Sequence, residues 1–312
     1  MIPAATQLTP TFDPARLQTD LTALTGHAWE QQQVSDYSGL GARTDLDWRV
    51  LPLRSLGGDP DRTDPGGPGP EDFAPTRWLA RVPYLAEVLA ALPGPVNAAR
   101  LMALGPGATS HLHADPKYAL TRGFVRLHIP ITTNPSAVLL LDGVTHRWQP
   151  GQLWCGQFSR PHQVRNDGDL TRVHLVIDVL VSTGLADLFP ADRRPGLQAE
   201  ALFNRPERPD ATPVSADLYL PTAFTDFTRD DVLGTPEEPT PAHFTAEGGR
   251  GRLSLLDGRV FALVHLGSGE FRFAGWSEQR TLQIRGGEVV LRTRDGRTVR
   301  ELSISPKDLR CS

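Results

Sequence analysis

Two runs constrain the fold of this chain more than any other part of it. They are Phe124-Val-Arg126-Leu-His128-Ile-Pro130-Ile131 and Thr171-Arg172-Val-His174-Leu-Val-Ile-Asp178, and each alternates apolar residues with guanidinium, imidazole or carboxylate side chains. A strand sends successive side chains to opposite faces, so Arg126, His128 and Pro130 share one face while Leu127, Ile129 and Ile131 share the other. The second run likewise sets Arg172, His174 and Asp178 opposite Val173, Leu175 and Ile177. One face belongs to a hydrophobic layer and the other lines a polar hollow. Aiming several imidazoles and guanidiniums inward demands an anion or a metal there, because unpaired charge inside a barrel is costly.

Around these runs, from Arg100 to Leu180, short strand patterns alternate with turn residues, which is how sandwiches and barrels read. Asp142-Gly143 and Asp167-Gly168 are hairpin signals, and Pro150-Gly151 is a further tight turn. Upstream, Asp13-Pro14 reads as an N-cap and first helical residue, with Leu17, Leu21 and Leu24 on one face and Gly26 as the stop. Thr44 to Arg54 predicts a strand with a register break near Pro52, and Pro83 to Leu92 a second helix. Gly57 to Pro70, nearly all Gly, Pro, Asp, Arg and Thr, predicts a mobile loop, either a solvated connector or a lid. Leu185 to Asn204 reads as helical.

The expected organisation is a β-sandwich or barrel domain with N-terminal helices over residues 1–204, an irregular linker over 205–247 and a small β-rich domain over 248–312. The linker reading comes from the Pro-rich blocks Arg205–Pro213 and Pro236–Pro241. Beyond Gly248, six strand patterns (Leu253–Leu256, Arg259–Leu266, Glu270–Ala274, Thr281–Arg285, Glu288–Arg294 and Arg297–Ile304) are separated by Asp257-Gly258, Gly267-Ser-Gly269, Gly286-Gly287 and Asp295-Gly296. They predict a meander or small barrel to which the sequence assigns no role, though it could serve self-association or partner binding.

The 312 residues carry a formal net charge of -4, which exerts no general pull toward nucleic acid or anionic membrane. No run approaches the ~20 apolar residues of a membrane span, and the N-terminus lacks the pattern of a signal peptide. A soluble cytoplasmic protein is expected. The two cysteines, Cys155 and Cys311, have no metal or redox spacing and read as small buried or terminal thiols.

Chemistry concentrates in two short pieces, His111-Leu-His113-Ala-Asp115 and Pro161-His162-Gln-Val-Arg165-Asn166. His113 and Asp115 stand at i and i+2, hence on one face of an extended segment, and His162 supplies a third donor from a distant strand. Two histidines and a carboxylate on one face of an octahedron leave three positions open on non-haem Fe(II). Arg172 follows His162 by ten residues. A hairpin with an odd-length loop places the two side chains on the same face of adjacent strands, whereas a two-residue loop separates them. A guanidinium behind the metal suits a bidentate clamp on the far end of a dicarboxylate, with Arg126 and His128 at its near end.

The ordered set Arg100-Leu-Met-Ala-Leu-Gly-Pro-Gly-Ala-Thr109, His113-Ala-Asp115, Val125-Arg-Leu-His-Ile-Pro130 with Thr133-Asn134, Trp148-x-Pro-Gly151, Ser159-Arg-Pro-His162, Val164-Arg-Asn166 and Arg172–Asp178 resembles the aspartyl/asparaginyl β-hydroxylase family over roughly residues 30 to 182. The resemblance implies a mainly β, cupin-like double-stranded β-helix using Fe(II), 2-oxoglutarate and O2 to hydroxylate an amino acid, free or in a peptide. Carried over, His113 and His162 bind iron, Arg172 pairs with the C5 carboxylate of 2-oxoglutarate, and Arg126 and His128 sit at its C1 end. Animal members of the family have glycine where this chain has Asp115, so a complete two-histidine, one-carboxylate set is implied here. That points to the bacterial members, some of which hydroxylate free amino acids such as proline. The C-terminal β unit lies outside the resemblance.

Two other readings stand beside this one. His111, His113 and His162 form an alternative three-histidine cupin site, although Lys117 and Tyr118 fill the places where the glutamate of the general cupin motif falls. Alternatively, the barrel binds a ligand without turnover and the C-terminal unit recognises a partner. Lys117, Tyr118, Arg122 and the loop from Gly57 are expected at the mouth, suiting an anionic or zwitterionic substrate.

Overall fold

Long strands with one polar and one apolar face do shape this protein, seen in a computed structural model that describes residues 2–33, 46–210, 212–230, 232–233 and 238–306, with the backbone alone of 308–311. The chain divides into two compact units, residues 1–66 with 73–201 and residues 67–72 with 202–312.

The first unit runs β1 (Ala5–Thr11), α1 (Pro14–Thr22), β2 (Glu30–Gln31), β3 (Trp48–Leu56), β4 (Phe73–Pro75), α2 (Pro83–Ala90), β5 (Val96–Leu104), β6 (Phe124–Thr132), β7 (Ala137–Leu141), β8 (Val144–His146), β9 (Gln152–Gly156), β10 (His162–Asn166), β11 (Arg172–Leu180), α3 (Thr183–Ala186) and α4 (Arg194–Glu200). An eight-stranded sheet has the order β1-β9-β6-β11-β5-β3-β2 with β4 on β3, and a three-stranded sheet has the order β10-β7-β8. Residues of both sheets line one cavity, so the unit is a cupin-like double-stranded β-helix.

β11 is the centre of the large sheet, paired with β5 on one side and β6 on the other, and all nine of its residues are buried. Leu127, Ile129, Leu175 and Ile177, on the faces away from the cavity, are fully enclosed. At roughly 1.5–3 kcal/mol per such side chain, this layer supplies much of the drive that holds β6 and β11 in register. Helix α1 begins as its sequence dictates. Asp13 caps it by accepting from the N–H groups of Ala15 (2.8 Å) and Arg16 (3.3 Å), and Pro14 opens the first turn.

Several expectations are corrected here. Asp142 (φ 52°) and Gly143 (φ 77°) do form a tight β7–β8 hairpin turn of the kind that needs two left-handed residues. The Asp167-Gly168 turn does not join paired strands, because β10 pairs with β7 while β11 lies in the other sheet. The chain crosses from sheet to sheet there. His162 and Arg172 therefore reach the cavity from opposite walls, and neither loop-length alternative for a shared hairpin applies. The register break in β3 falls between Pro52 and Arg54 as expected; Thr44 and Asp45 of the expected strand lie outside the described residues. β1, which pairs with β9, has no counterpart in the sequence reading.

Gly57 to Pro70 is not a loose connector either. Thr63 and Asp64 are buried. The Thr63 carbonyl accepts from Arg100 Nη1 (3.2 Å), and the Gly66 carbonyl accepts from Lys117 Nζ (3.0 Å). Backbone carbonyls pinned by buried cations cannot move freely. Gly67–Asp72 joins the second unit, where the Gly69 carbonyl accepts from the Ala262 N–H at 2.7 Å.

The second unit contains β12 (Val214–Pro221), β13 (Pro239–Glu247), β14 (Arg250–Leu255), β15 (Val260–Gly267), β16 (Glu270–Phe273), β17 (Arg280–Arg285), β18 (Glu288–Asp295), β19 (Thr298–Ile304) and β20 (Asp308–Cys311). They form one nine-stranded antiparallel meander, β19-β18-β17-β16-β15-β14-β13-β12-β20. β20 follows β19 closely in the chain yet pairs with β12 at the other end of the order, so the sheet curls back on itself. Six of these strands match the expected ones to within three residues. The linker expected over 205–247 is overturned: β12 and β13 lie within it and pair along their length. Pro221 and Pro239 stand at the ends of that pairing, where a missing N–H is tolerated, and the alternating Ala216, Leu218 and Leu220 join Phe244 and Phe271 in the core.

Candidate metal centre

His113 and His162 meet backbone to backbone before their rings are considered. The His113 N–H donates to the His162 carbonyl (3.0 Å) and the His162 N–H to the His113 carbonyl (2.7 Å), which sets the two imidazoles 4.2 Å apart between centroids. His162 Nδ1 lies 3.0 Å from the Arg160 carbonyl and His113 Nδ1 lies 2.8 Å from the His111 carbonyl. A carbonyl only accepts, so each Nδ1 donates its proton there and each Nε2 is the nitrogen left to face a metal. Burial pulls the His162 imidazole down to about 4, the Arg160 carbonyl opposing in part, so the ring is neutral at physiological pH. Asp115 completes the group, held by an N–H bond to the Phe158 carbonyl at 2.8 Å. One donor atom each from His113, Asp115 and His162 lies within 4.8 Å of the others. Two imidazoles and a carboxylate at this spacing are a donor set that suits a divalent transition metal. His111 is not a member of that group; its carbonyl accepts from His113 Nδ1.

The cavity around these residues measures about 460 Å³ and takes its walls from both sheets, including Trp48, Met102, Lys117, Arg126, His128, Leu139, Phe158, Val164 and Arg172. Arg172 is buried to 6% exposure and donates from Nη2 to His174 Nδ1 at 2.8 Å. Among the described residues no carboxylate pairs with it. Burial alone pulls its guanidinium down to about 9, the signature of a cation stripped of water without an anion in return. His128 is driven well below the ordinary imidazole range by burial and then by the Arg172 and Arg126 charges, and its Nε2 has no hydrogen-bond partner among the described residues.

Arg126 is placed differently from the sequence expectation. Its Nε donates to Asp178 Oδ1 (2.7 Å), its Nη1 to Asp115 Oδ2 (2.9 Å), and its Nη2 to Asp178 Oδ2 (3.2 Å) and Tyr118 Oη (2.5 Å). Four of the five guanidinium N–H groups are thus committed to the protein. Lys117 and Tyr118, expected at the mouth, are buried within the unit at 6% and 1% exposure. Arg122 is absent from the cavity wall. Burial lowers Lys117 to about 8, with Asp178 opposing. Cys155 is likewise an enclosed thiol, pushed up to about 12 by burial and inert as a nucleophile.

The model of the aspartyl/asparaginyl β-hydroxylase family matches residues 13–181, more than half of the chain. The chain belongs to the aspartyl/asparaginyl β-hydroxylase family. Within the family match lie all three members of the metal-ligand group, the Arg126/His128 pair and Arg172. No curated protein matches the sequence. Among solved structures, a 2OG-Fe(II) oxygenase family oxidoreductase from Burkholderia pseudomallei is similar at 12% identity, with 56% of this chain and 85% of that one covered and a TM-score of 0.39. A prolyl hydroxylase from Trichoplax adhaerens, solved with a hypoxia-inducible-factor peptide fragment, is similar at 10% identity over 57% and 83% of the chains, TM-score 0.39. HygX from Streptomyces hygroscopicus, solved with nickel and 2-oxoglutarate, is similar at 10% identity over 57% and 82%, TM-score 0.34.

Sequence reasoning missed the Arg126–Asp178 pairing. The signal was present, since both residues had been assigned to cavity-facing sides of their strands, but the strand order that sets them opposite each other was not visible.

Proposed function

We propose that this protein is an Fe(II)- and 2-oxoglutarate-dependent dioxygenase that hydroxylates an amino acid, free or within a peptide. The observation that carries the reading is the coincidence, in one cavity, of the His113/Asp115/His162 donor set with a buried arginine that has no carboxylate partner among the described residues. Family membership supports it independently.

His113 and His162 hold the metal through Nε2 and Asp115 through a carboxylate oxygen. Fe(II) bound there, with 2-oxoglutarate and O2, supplies the oxidising chemistry that turns a substrate C–H into C–OH and releases succinate and CO2. Arg172 receives the distal carboxylate of 2-oxoglutarate, whose charge replaces the water that burial removed. His128, neutral and with a free Nε2, borders the near end. Apolar walls from Trp48, Met102, Leu139, Phe158 and Val164 exclude bulk water and orient the substrate.

The deciding experiment is anaerobic addition of Fe(II) and then 2-oxoglutarate to the purified chain. A visible charge-transfer band is expected, lost in His162→Ala, together with succinate formation and a gain of one oxygen by mass when amino acids and short peptides are screened in air. Full activity in Arg172→Ala with loss in His111→Ala would instead favour the three-histidine site.

A further inference from the structure

We infer that Arg126 and Asp178 are positioning residues for the metal-binding carboxylate of Asp115, so that Arg126 serves the ligand set before it serves any co-substrate. The inference rests on the metal reading above.

Asp115 lies outside the strands, and its side chain remains 32% exposed. A carboxylate so placed has several rotamers open to it, and metal affinity falls unless something selects one. Arg126 makes that selection by taking Oδ2 at 2.9 Å, so that Oδ1 would be the oxygen left to hold a metal. Arg126 is itself fixed from behind. Asp178 stands directly opposite it in the β6–β11 register, and its two carboxylate oxygens accept from Nε and Nη2. Tyr118 Oη donates to Asp178 Oδ2 at 2.7 Å, and the Arg126 guanidinium carbon sits 3.9 Å from the centroid of the tyrosine ring. Arg100, as buried as Asp178 at 1% exposure, adds a contact at 3.5 Å. Thus backbone pairing sets Asp178, Asp178 sets Arg126, and Arg126 sets Asp115.

The same chain of contacts gives a reason for the pairing. A carboxylate at a cavity rim is held in place best by a cation nearby, and Arg126 lies within hydrogen-bond reach.

The test is calorimetric Mn(II) binding to the full chain with no 2-oxoglutarate present. Asp115→Ala is expected to weaken Mn(II) binding strongly, and Arg126→Gln and Asp178→Asn each by about 10- to 100-fold. In the Asp115→Ala background, Asp178→Asn should have no further effect, because its route to the metal is gone. Wild-type Mn(II) affinity in Arg126→Gln and Asp178→Asn would overturn the inference, as would an Asp178→Asn effect that persists undiminished without Asp115. Unchanged affinity in Asp115→Ala would instead sink the metal reading, and the inference with it. Should Asp178→Asn fail to fold, Tyr118→Phe removes a single hydroxyl from the same network. A several-fold loss that vanishes in the Asp115→Ala background supports the inference, and no loss overturns it.

Discussion

Glu270 in the C-terminal unit and Arg172 in the N-terminal unit are both almost wholly buried ions on β-strands, yet their surroundings differ in kind. Glu270 accepts from Thr281 Oγ1 (2.6 Å), Arg294 Nη2 (2.6 Å) and Arg205 Nη2 (2.6 Å), with Arg292 Nη1 at 3.4 Å. Burial pushes its carboxyl up, but the hydroxyl and the arginines more than reverse this and hold it at about 2. Arg280 nearby is equally well supplied, donating to the carbonyls of Ala223, Phe224, Asp226 and Arg229. Arg172 has an imidazole nitrogen and, among the described residues, nothing anionic. A saturated buried ion is a structural tie, whereas an unsaturated one beside a cavity is shaped for a ligand.

The sharpest way to break this contrast is at Glu270. Glu270→Leu strands several arginines and should cost about 3–5 kcal/mol of stability, read by urea denaturation. Because the folded-state pKa is depressed, the wild-type carboxylate stabilises the fold above the unfolded value of ~4.3 and loses that contribution as pH falls toward about 2. The variant should lack this acid limb. A cost below 1 kcal/mol would mean the cluster is not a tie.

Next in size is the response to ligand. With Mn(II) present, 2-oxoglutarate at 100 times its Kd should stabilise the N-terminal unit by about 2.7 kcal/mol, seen as a rise in melting temperature. Arg172→Met should abolish that rise, and Glu270→Leu should leave it intact. Smallest is the effect of Arg172→Met on the unliganded protein. Removing a buried cation without a counter-ion should change stability by no more than about 1 kcal/mol, and in the favourable direction. A loss of 3 kcal/mol or more would make Arg172 a structural ion like Glu270.

Much of this organisation is legible in local pattern. Period-two alternation assigned the faces of β6 and β11 correctly, since side-chain direction on a strand follows from residue parity alone. The cap at Asp13, the turn at Asp142-Gly143 and six strands of the C-terminal meander were legible for the same reason: each depends on neighbours within a few residues. Composition misled where proline and glycine suggested loose chain. Pro221 and Pro239 end strands without weakening them, and the Gly57–Pro70 stretch is held through carbonyl oxygens, which every residue type carries.

By itself, then, the order of residues determined which side chains face the hollow and which types of donor gather there. Tertiary structure alone decided their partners: that β10 and β11 belong to different sheets, that Arg172 stands without an anion among the described residues, and that Asp178 faces Arg126 while Arg126 reaches Asp115. The reason is that facing is a one-strand property, whereas partnership depends on strand order across the barrel, set by burial summed over segments far apart in the chain.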